Sequence, residues 1–481
     1  MTPMQLCRTK IVATVGPATD GLEHQLVLAG VSVFRVNFSH GSAQEHSQRV
    51  QAIRAAALRA EHHVAILGDL QGPKIRIGQF QDGAVTLENG ASFSIDAALS
   101  PDGGTSAQVG TTYPHLGADC QAGDVLVLGD GLIELEVTAT SNGRVDCRVI
   151  TGGILSGGKG INKRGGGLSA AALTAKDEAD IKLAAELDVD FLAVSFPRSD
   201  ADLEHARRLA QAAQLRCHIV AKIERAETVA TDAALDELIA AADAVMIARG
   251  DLGIEIGYPA LMGVQKRITT RARELNRPVI TATQMMESMI DNPSPTRAEV
   301  LDVANAVLDG TDAIMLSGET AVGAHPLKVI EAVVSVMQGA EATAAKQHIE
   351  RRKLDLEAID HAIALAVMSV ARRLDRVTAI VCFTSSGNTP RLMSRYLGPI
   401  PIYAMLEEPK TLAWVALYRG VQAVFLTPEV RDYEAMNQAA ISWLQSQQAV
   451  ASGDRVIISK GDLRDVRQSG GTNTLKVIEI P

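Results

Sequence analysis

Short apolar runs alternate with amphipathic stretches along the first two thirds of the chain, and most of the runs end on polar residues. They are Lys10–Thr14, Val33–Asn37, Val64–Leu67, Phe191–Ser195, His218–Lys222, Ala244–Ala248, Val279–Thr283 and Ala313–Leu316. Strands buried on both faces read as such continuous runs, and the helices between them cover a parallel sheet on both sides. Eight strand–helix units of this kind predict an α/β fold, a closed (β/α)8 TIM barrel. One of the helices has readable ends. Thr296 and Glu299 have the spacing of a capping box, Val300, Val303, Val307 and Leu308 supply an apolar face, and Gly310 stops it.

The pattern breaks between the third and fourth runs. From 71 to 167 helical periodicity is scarce, short strands such as Val125–Leu128 and Ile133–Val137 appear, and Asp82-Gly83, Asn89-Gly90 and Asn142-Gly143 signal turns. These features predict an all-β insertion on one barrel loop. Beyond about residue 345 a charged helix over Gln347–Glu357 is expected to lead into a second α/β region. Its strands are expected at Ala379–Phe383, Ile402–Met405, Ala423–Leu426 and Val456–Ser459. The expected division is 1–70 with 168–345 as barrel, 71–167 as insertion and 346–481 as a C-terminal domain.

Composition narrows the function classes. The formal net charge of −10 and an aromatic content of 3% argue against a nucleic-acid partner, which needs basic patches and stacking rings. Cys7, Cys120, Cys147, Cys217 and Cys382 are dispersed, which suits reduced thiols better than a disulfide framework or a zinc site. No apolar stretch has the length of a membrane span and no signal-like apolar region precedes Arg8-Thr9-Lys10. A cytoplasmic protein without a membrane partner is expected.

Catalytic groups of a TIM barrel stand where strands end. Here those ends read Arg35-Val36-Asn37-Phe38-Ser39-His40-Gly41, Gly68-Asp69, Lys222-Ile223-Glu224, Arg249-Gly250-Asp251, Thr283-Gln284 and Ser317-Gly318-Glu319. Lys222 and Glu224 are two apart on an extended segment and point to one side. Glu224 and Asp251 would offer oxygens to Mg²⁺, and the Lys222 ammonium would stabilise charge developing on a phosphoryl group or an enolate. Gly153–Lys159 fits the start of a P-loop, but Gly160 stands where the Mg²⁺-binding hydroxyl belongs and no helix pattern follows. Lys159 remains able to touch phosphates from a loop. Near the C-terminus, Thr384, Ser385, Ser386, Gly387, Asn388 and Thr389 follow an apolar strand and precede a helix, which can form either a phosphate cradle or a helix-capping turn.

Several long segments carry a family likeness: RTKIVATVGP from Arg8, RVNFSHG from Arg35, DLQGPKIRIG from Asp69, AKIE from Ala221, ARGDLG from Ala248, TATQMMESM from Thr281 and LSGET from Leu316. In their order and spacing the chain resembles the pyruvate kinase family over essentially its whole length. The resemblance implies a barrel A domain, an inserted β-barrel lid and a C-terminal effector domain. It implies transfer of a phosphoryl group from phosphoenolpyruvate to ADP, giving pyruvate and ATP with Mg²⁺ or Mn²⁺. Arg35, Lys222, Gly250, Asp251 and Thr283 match phosphoenolpyruvate contacts, and Glu224 and Asp251 match the metal ligands. Asn37, His40, Arg76 and Lys159 match nucleotide positions, while Ser317 and Glu319 stand behind Thr283, where a water network would protonate the enolate.

Departures from the family pattern carry expectations too. Many members bind K⁺ at positions matching Asn37, Ser39, Asp69 and Leu70 and carry Glu where this chain has Lys74. A fixed ammonium in place of that cation predicts activity without K⁺. The segment GINKRGGG from Gly160 resembles the bacterial subgroup activated by sugar monophosphates or AMP. Thr384–Thr389 aligns with the effector-phosphate loop, Gly471-Thr472-Asn473-Thr474 resembles its neighbour, and the resemblance also implies a homotetramer. Two rivals stay open: another barrel enzyme that handles a phosphoenolpyruvate-derived enolate, such as a mutase or lyase, and a non-catalytic sugar-phosphate sensor.

Overall fold

All eight predicted runs are strands of one closed, parallel barrel in the computed structural model, which describes residues 7–141, 143–344, 358–426, 432–461 and 471–481. They are β1 (Lys10–Thr14), β2 (Val33–Asn37), β3 (Ala65–Asp69), β4 (Phe191–Val194), β5 (His218–Ile223), β6 (Ala244–Ala248), β7 (Val279–Ala282) and β8 (Ala313–Leu316). Each strand pairs with the next in the chain, and β8 closes on β1 from Lys10↔Ala313 to Ala13↔Leu316. Alternation explains why the runs are apolar throughout. Val12, Val33, Leu67, Val220, Met246 and Ile280 fill the barrel, while Ile11, Phe34, Ile66, Ile219, Val245 and Ile314 pack in the layer outside it. The helix at Arg297–Asp309 starts with the Thr296–Glu299 capping box and ends on Gly310 at φ 92°, as its sequence signals require.

The segment between β3 and β4 forms a six-stranded sheet and a separate two-stranded pair, Ala84–Leu87 with Gly153–Ser156. The isolated bridge Arg76↔Gly160 stitches its two legs together, and Ile77↔Thr111 and Phe80↔Gly104 tie the outgoing leg to the middle of the insertion. It has its own apolar core around Phe93, Ile95, Leu126, Leu135 and Val145. The P-loop look-alike lies in a β-pair, so no Walker site forms there.

The C-terminal region is a five-stranded sheet in the order Val421–Phe425, Ile402–Leu406, Val377–Phe383, Arg455–Gly461, Thr472–Glu479, the last strand antiparallel. Its core is continuous with the residues that fill the barrel. Buried charges seal this junction at the barrel floor. Arg395 forks onto Asp312, each 1% exposed, and Asp312 also accepts the N–H groups of Val279 at 2.9 Å and Arg419 at 3.1 Å. Glu341 takes the N–H and hydroxyl of Thr9 at 2.7 and 2.8 Å, and Lys10 Nζ donates to Val421 O at 2.6 Å. The predicted helix at Gln347–Glu357, and Asn142 of one predicted turn, lie outside the described residues.

Candidate active site

At the opposite end of the barrel the strands deliver charges that are far less evenly matched. Arg35, at the end of β2, donates from Nε to Asp69 Oδ2 at 2.7 Å and from Nη1 to Thr14 Oγ1 at 3.0 Å. Lys222 on β5 reaches Ser195 Oγ at 2.6 Å, Glu224 Oε1 at 3.0 Å and Asp69 Oδ1 at 3.4 Å. The spacing of two therefore puts Lys222 and Glu224 on one side, as extended backbone demands. Glu224 is anchored by the Phe196 N–H, 2.7 Å from Oε2.

Electrostatics follow from burial. Removal from water would depress Lys222, but Asp69 and Glu224 outweigh it and hold the ammonium up at about 12. Burial pushes Asp69 the other way, and Lys222 with Arg35 brings it below the usual carboxylate range. Glu224 and Asp251 are raised, first by burial and then by mutual repulsion at Glu224 and by Asp130 at Asp251. Lys222 opposes both shifts. Buried Glu224 and half-buried Asp251 with one shared ammonium leave negative charge in search of a cation. Among the described residues no group of three or more His, Cys, Asp or Glu side chains forms a metal cage. A pair of carboxylates suits Mg²⁺, which keeps waters and substrate oxygens as its other ligands.

Asp251 sits in the first turn of the helix Arg249–Ile256, where free N–H groups favour an anion. Gly250 N–H donates to Thr283 Oγ1 at 3.0 Å, and that hydroxyl donates to Ala282 O at 2.7 Å. Thr283 and Gln284 both adopt left-handed backbone, φ 67° and 54°, a conformation that L residues adopt only under constraint. The constraint is Arg249, which is buried, grips Asp302 at 2.7 and 2.8 Å, and donates to the carbonyls of Ala282, Thr283 and Gln284. Glu319 is spoken for by backbone: Ser317 N–H at 2.6 Å and Met286 N–H at 3.2 Å.

The structure brings Arg35, Asp69, Lys222, Glu224, Gly250, Asp251 and Thr283 to this rim. Leu70 is buried beside it, with its N–H on Ala193 O. Asn37 Oδ1 accepts the Ser39 N–H at 3.1 Å, and His40 is exposed at the rim's edge. Arg76 and the exposed Lys159 lie on the adjoining legs of the insertion, where Arg76 Nη1 donates to Gly158 O at 2.7 Å. Lys74 is exposed, yet its charge and the Asn162 side chain both act on Asp251, so the insertion reaches the carboxylates. The C-terminal loop is remote, on the other side of the barrel floor. There Thr384 Oγ1 accepts the Gly387 N–H at 3.0 Å, Thr389 Oγ1 lies 2.6 Å from Thr472 Oγ1, and the helix starts at Asn388, inside the segment rather than after it.

Sequence reading missed Ser195, Arg249 and Asn162. Ser195 ends the fourth run, so the same strand-end rule would have found it; its hydroxyl links Lys222 to Leu70 O at 2.7 Å. Arg249 stood in view next to Gly250, but nothing in the sequence says that it clamps the neighbouring strand's loop. Asn162 reaches Asp251 through the placement of the insertion over the rim, which no local pattern encodes.

The fold is that of a TIM-barrel enzyme, with charged side chains gathered at the strand-end rim. Comparison with known proteins is more specific. The family model "Pyruvate kinase, barrel domain" matches residues 6–330, and "Pyruvate kinase, alpha/beta domain" matches 361–478. The chain is 51% identical to a pyruvate kinase of Haemophilus influenzae over 95% of its length and 96% of the relative's. It is 49% identical to pyruvate kinase II of Salmonella typhimurium over 99% of each, and 40% identical to a pyruvate kinase of Geobacillus stearothermophilus over 98% of its own length and 80% of that one's. The chain belongs to the pyruvate kinase family. Among the described residues no helix is long and apolar enough to cross a membrane.

Proposed function

We propose that the rim transfers the phosphoryl group of phosphoenolpyruvate to ADP, giving ATP and an enolate that is protonated to pyruvate. The carrying observation is the trio Lys222, Glu224 and Asp251, an ammonium set against two raised carboxylates, one buried and one half-buried. Mg²⁺ or Mn²⁺ held by Glu224 and Asp251 would supply charge neutralisation between the phosphates. Arg35, Lys222, Gly250, Asp251 and Thr283 position phosphoenolpyruvate. Lys222 stays charged throughout and meets the charge that builds up on the moving phosphoryl group, a task of positioning and electrostatics rather than proton transfer. Thr283 lies toward the enolate. Since Glu319 is engaged by two backbone amides, it and Ser317 act by shaping the loop beside Thr283.

Residues 71–167 serve as a lid that carries Arg76 and Lys159 to the nucleotide, with Asn37 and His40 on the barrel side. Lys74 replaces the monovalent cation; its action on Asp251 supports this, because the ammonium already adds positive charge beside the phosphates. Thr384, Ser385, Ser386, Gly387, Asn388 and Thr389 form the cradle for a sugar monophosphate or AMP, and the working form is a cytoplasmic homotetramer.

A coupled assay of pyruvate formation tests the reading. Pyruvate should appear only with ADP and a divalent cation, and should persist when Na⁺ replaces K⁺. Product without ADP would point to a mutase or lyase, and no turnover with substrate binding retained would point to a sensor. Loss of most activity in Na⁺ would overturn the role given to Lys74. Sugar phosphates or AMP should lower the KM for phosphoenolpyruvate, and Thr384→Ala with Ser386→Ala should remove that response.

A further inference from the structure

The insertion returns to the barrel through Gly165, Gly166 and Gly167, all three in left-handed backbone at φ 83°, 77° and 90°. Only Gly166 is buried, and it is pressed against two carboxylates. A Cβ there would lie 2.0 Å from Glu227 Oε2 and 3.3 Å from Glu255 Oε2. Glu255 is 4% exposed and stands one turn after Asp251 on the same helix. Its Oε2 accepts the Ala226 N–H at 2.7 Å, two residues beyond Glu224, and its backbone oxygen accepts the Gly165 N–H at 2.9 Å. A single residue therefore touches the segments bearing both candidate metal ligands and the return hinge of the lid.

We propose that Glu255 is a positioning residue for phosphoryl transfer, a neutral carboxylic acid that shares its proton with Glu227 across Gly166 and so ties the closed lid's hinge to the loops carrying Glu224 and Asp251. Glu227 Oε2 is buried and has no hydrogen-bond partner, although Oε1 takes Arg225 Nε at 2.6 Å. An acid proton on Glu255 would satisfy that orphaned oxygen, whereas a second carboxylate facing it would repel it. The charged groups acting on Glu255 are Glu227 and Arg225 from the loop after β5, and Asp251 from its own helix. Arg225 is engaged by Glu227 and by Leu168 O at the end of the hinge. Burial raises the Glu255 carboxyl to about 8, with the Ala226 N–H and Arg225 opposing and Glu227 and Asp251 assisting. The raised value means that the closed hinge holds its proton at neutral pH and loses that support as pH climbs through about 8.

This inference rests on reading residues 71–167 as a lid over a nucleotide site, and its test separates the two. Hydrogen exchange at Gly165, corrected for intrinsic rates, reads the hinge without turnover; the KM for ADP reads the lid. From pH 7 to pH 9 the wild type should lose about tenfold in protection and gain about tenfold in KM for ADP, with kcat less affected. Glu255→Gln keeps an acceptor for Ala226 N–H and a donor for Glu227, so both quantities should stay flat over that range. Glu255→Ala, which strands the Ala226 amide and Glu227 Oε2, should show weak protection and high KM at every pH. A pH-independent wild type, or Glu255→Gln behaving as Glu255→Ala does, would overturn the proposal. A protected, pH-sensitive hinge in a protein that makes no pyruvate would instead spare the hinge and reject the catalytic reading.

Discussion

The two ends of the barrel both bury charge, and they use it in opposite ways. At the floor two carboxylates are fully matched: Asp312 faces Arg395 and two backbone amides, and Glu341 takes amides and hydroxyl of the first strand's leader. At the rim burial raises Glu224 and Asp251 above their usual range, and the one ammonium of Lys222 opposes both shifts without cancelling them. Matched charge fixes domain against domain; unmatched charge waits for a ligand. The same residue types thus separate into joint and candidate active site by whether their partners are all supplied by the chain.

Four substitutions probe that contrast, in falling order of effect. Lys222→Met removes the rim's ammonium and should cut kcat by about 10³-fold or more while thermal unfolding stays cooperative; near-normal turnover would refute its role. Arg395→Met leaves Asp312 buried without its guanidinium and should cost about 3–5 kcal/mol in urea unfolding, a loss that Lys222→Met should not approach. Lys74→Glu should lower activity in Na⁺ about tenfold and make it recoverable with K⁺, seen by titrating K⁺ into the assay. His218→Phe tests the floor most gently. His218 stacks on Trp414 at 4.0 Å and burial depresses it to about 4, so the unfolded chain gains a proton below pH 6.5 that the native ring refuses. Stability should fall as pH drops from about 6.5 toward 4, and the variant should show a Tm decline smaller by a few degrees over that interval.

Only one side of this contrast could be read from the sequence. The barrel was legible because strands buried on both faces must be apolar, and its rim because each polar strand end breaks that rule at a fixed place. Lys222 and Glu224 needed only the two-residue repeat. The floor was not legible. Arg395 and Asp312 lie 83 residues apart and Glu341 lies 332–333 residues from Thr9 and Arg8, and a buried arginine looks like a surface one until the fold brings its carboxylate to it. The clamp of Arg249 on the Thr283 loop was hidden for the same reason, since it joins strands β6 and β7. Asn162 and the Gly165–Gly167 hinge depend on where the insertion lies over the rim. Resemblance supplied roles for Arg76, Lys159 and the Thr384–Thr389 loop, which composition and spacing alone leave open.

The central claim is that unmatched carboxylates at the rim, and not the matched ones at the floor, bind the divalent cation. Titration of Mn²⁺ followed by its electron paramagnetic resonance signal measures this without turnover. The account predicts one tight site per chain in the wild type and in Asp312→Asn, and its loss in Glu224→Gln with Asp251→Asn. Tight Mn²⁺ binding that survives in the double variant would contradict it.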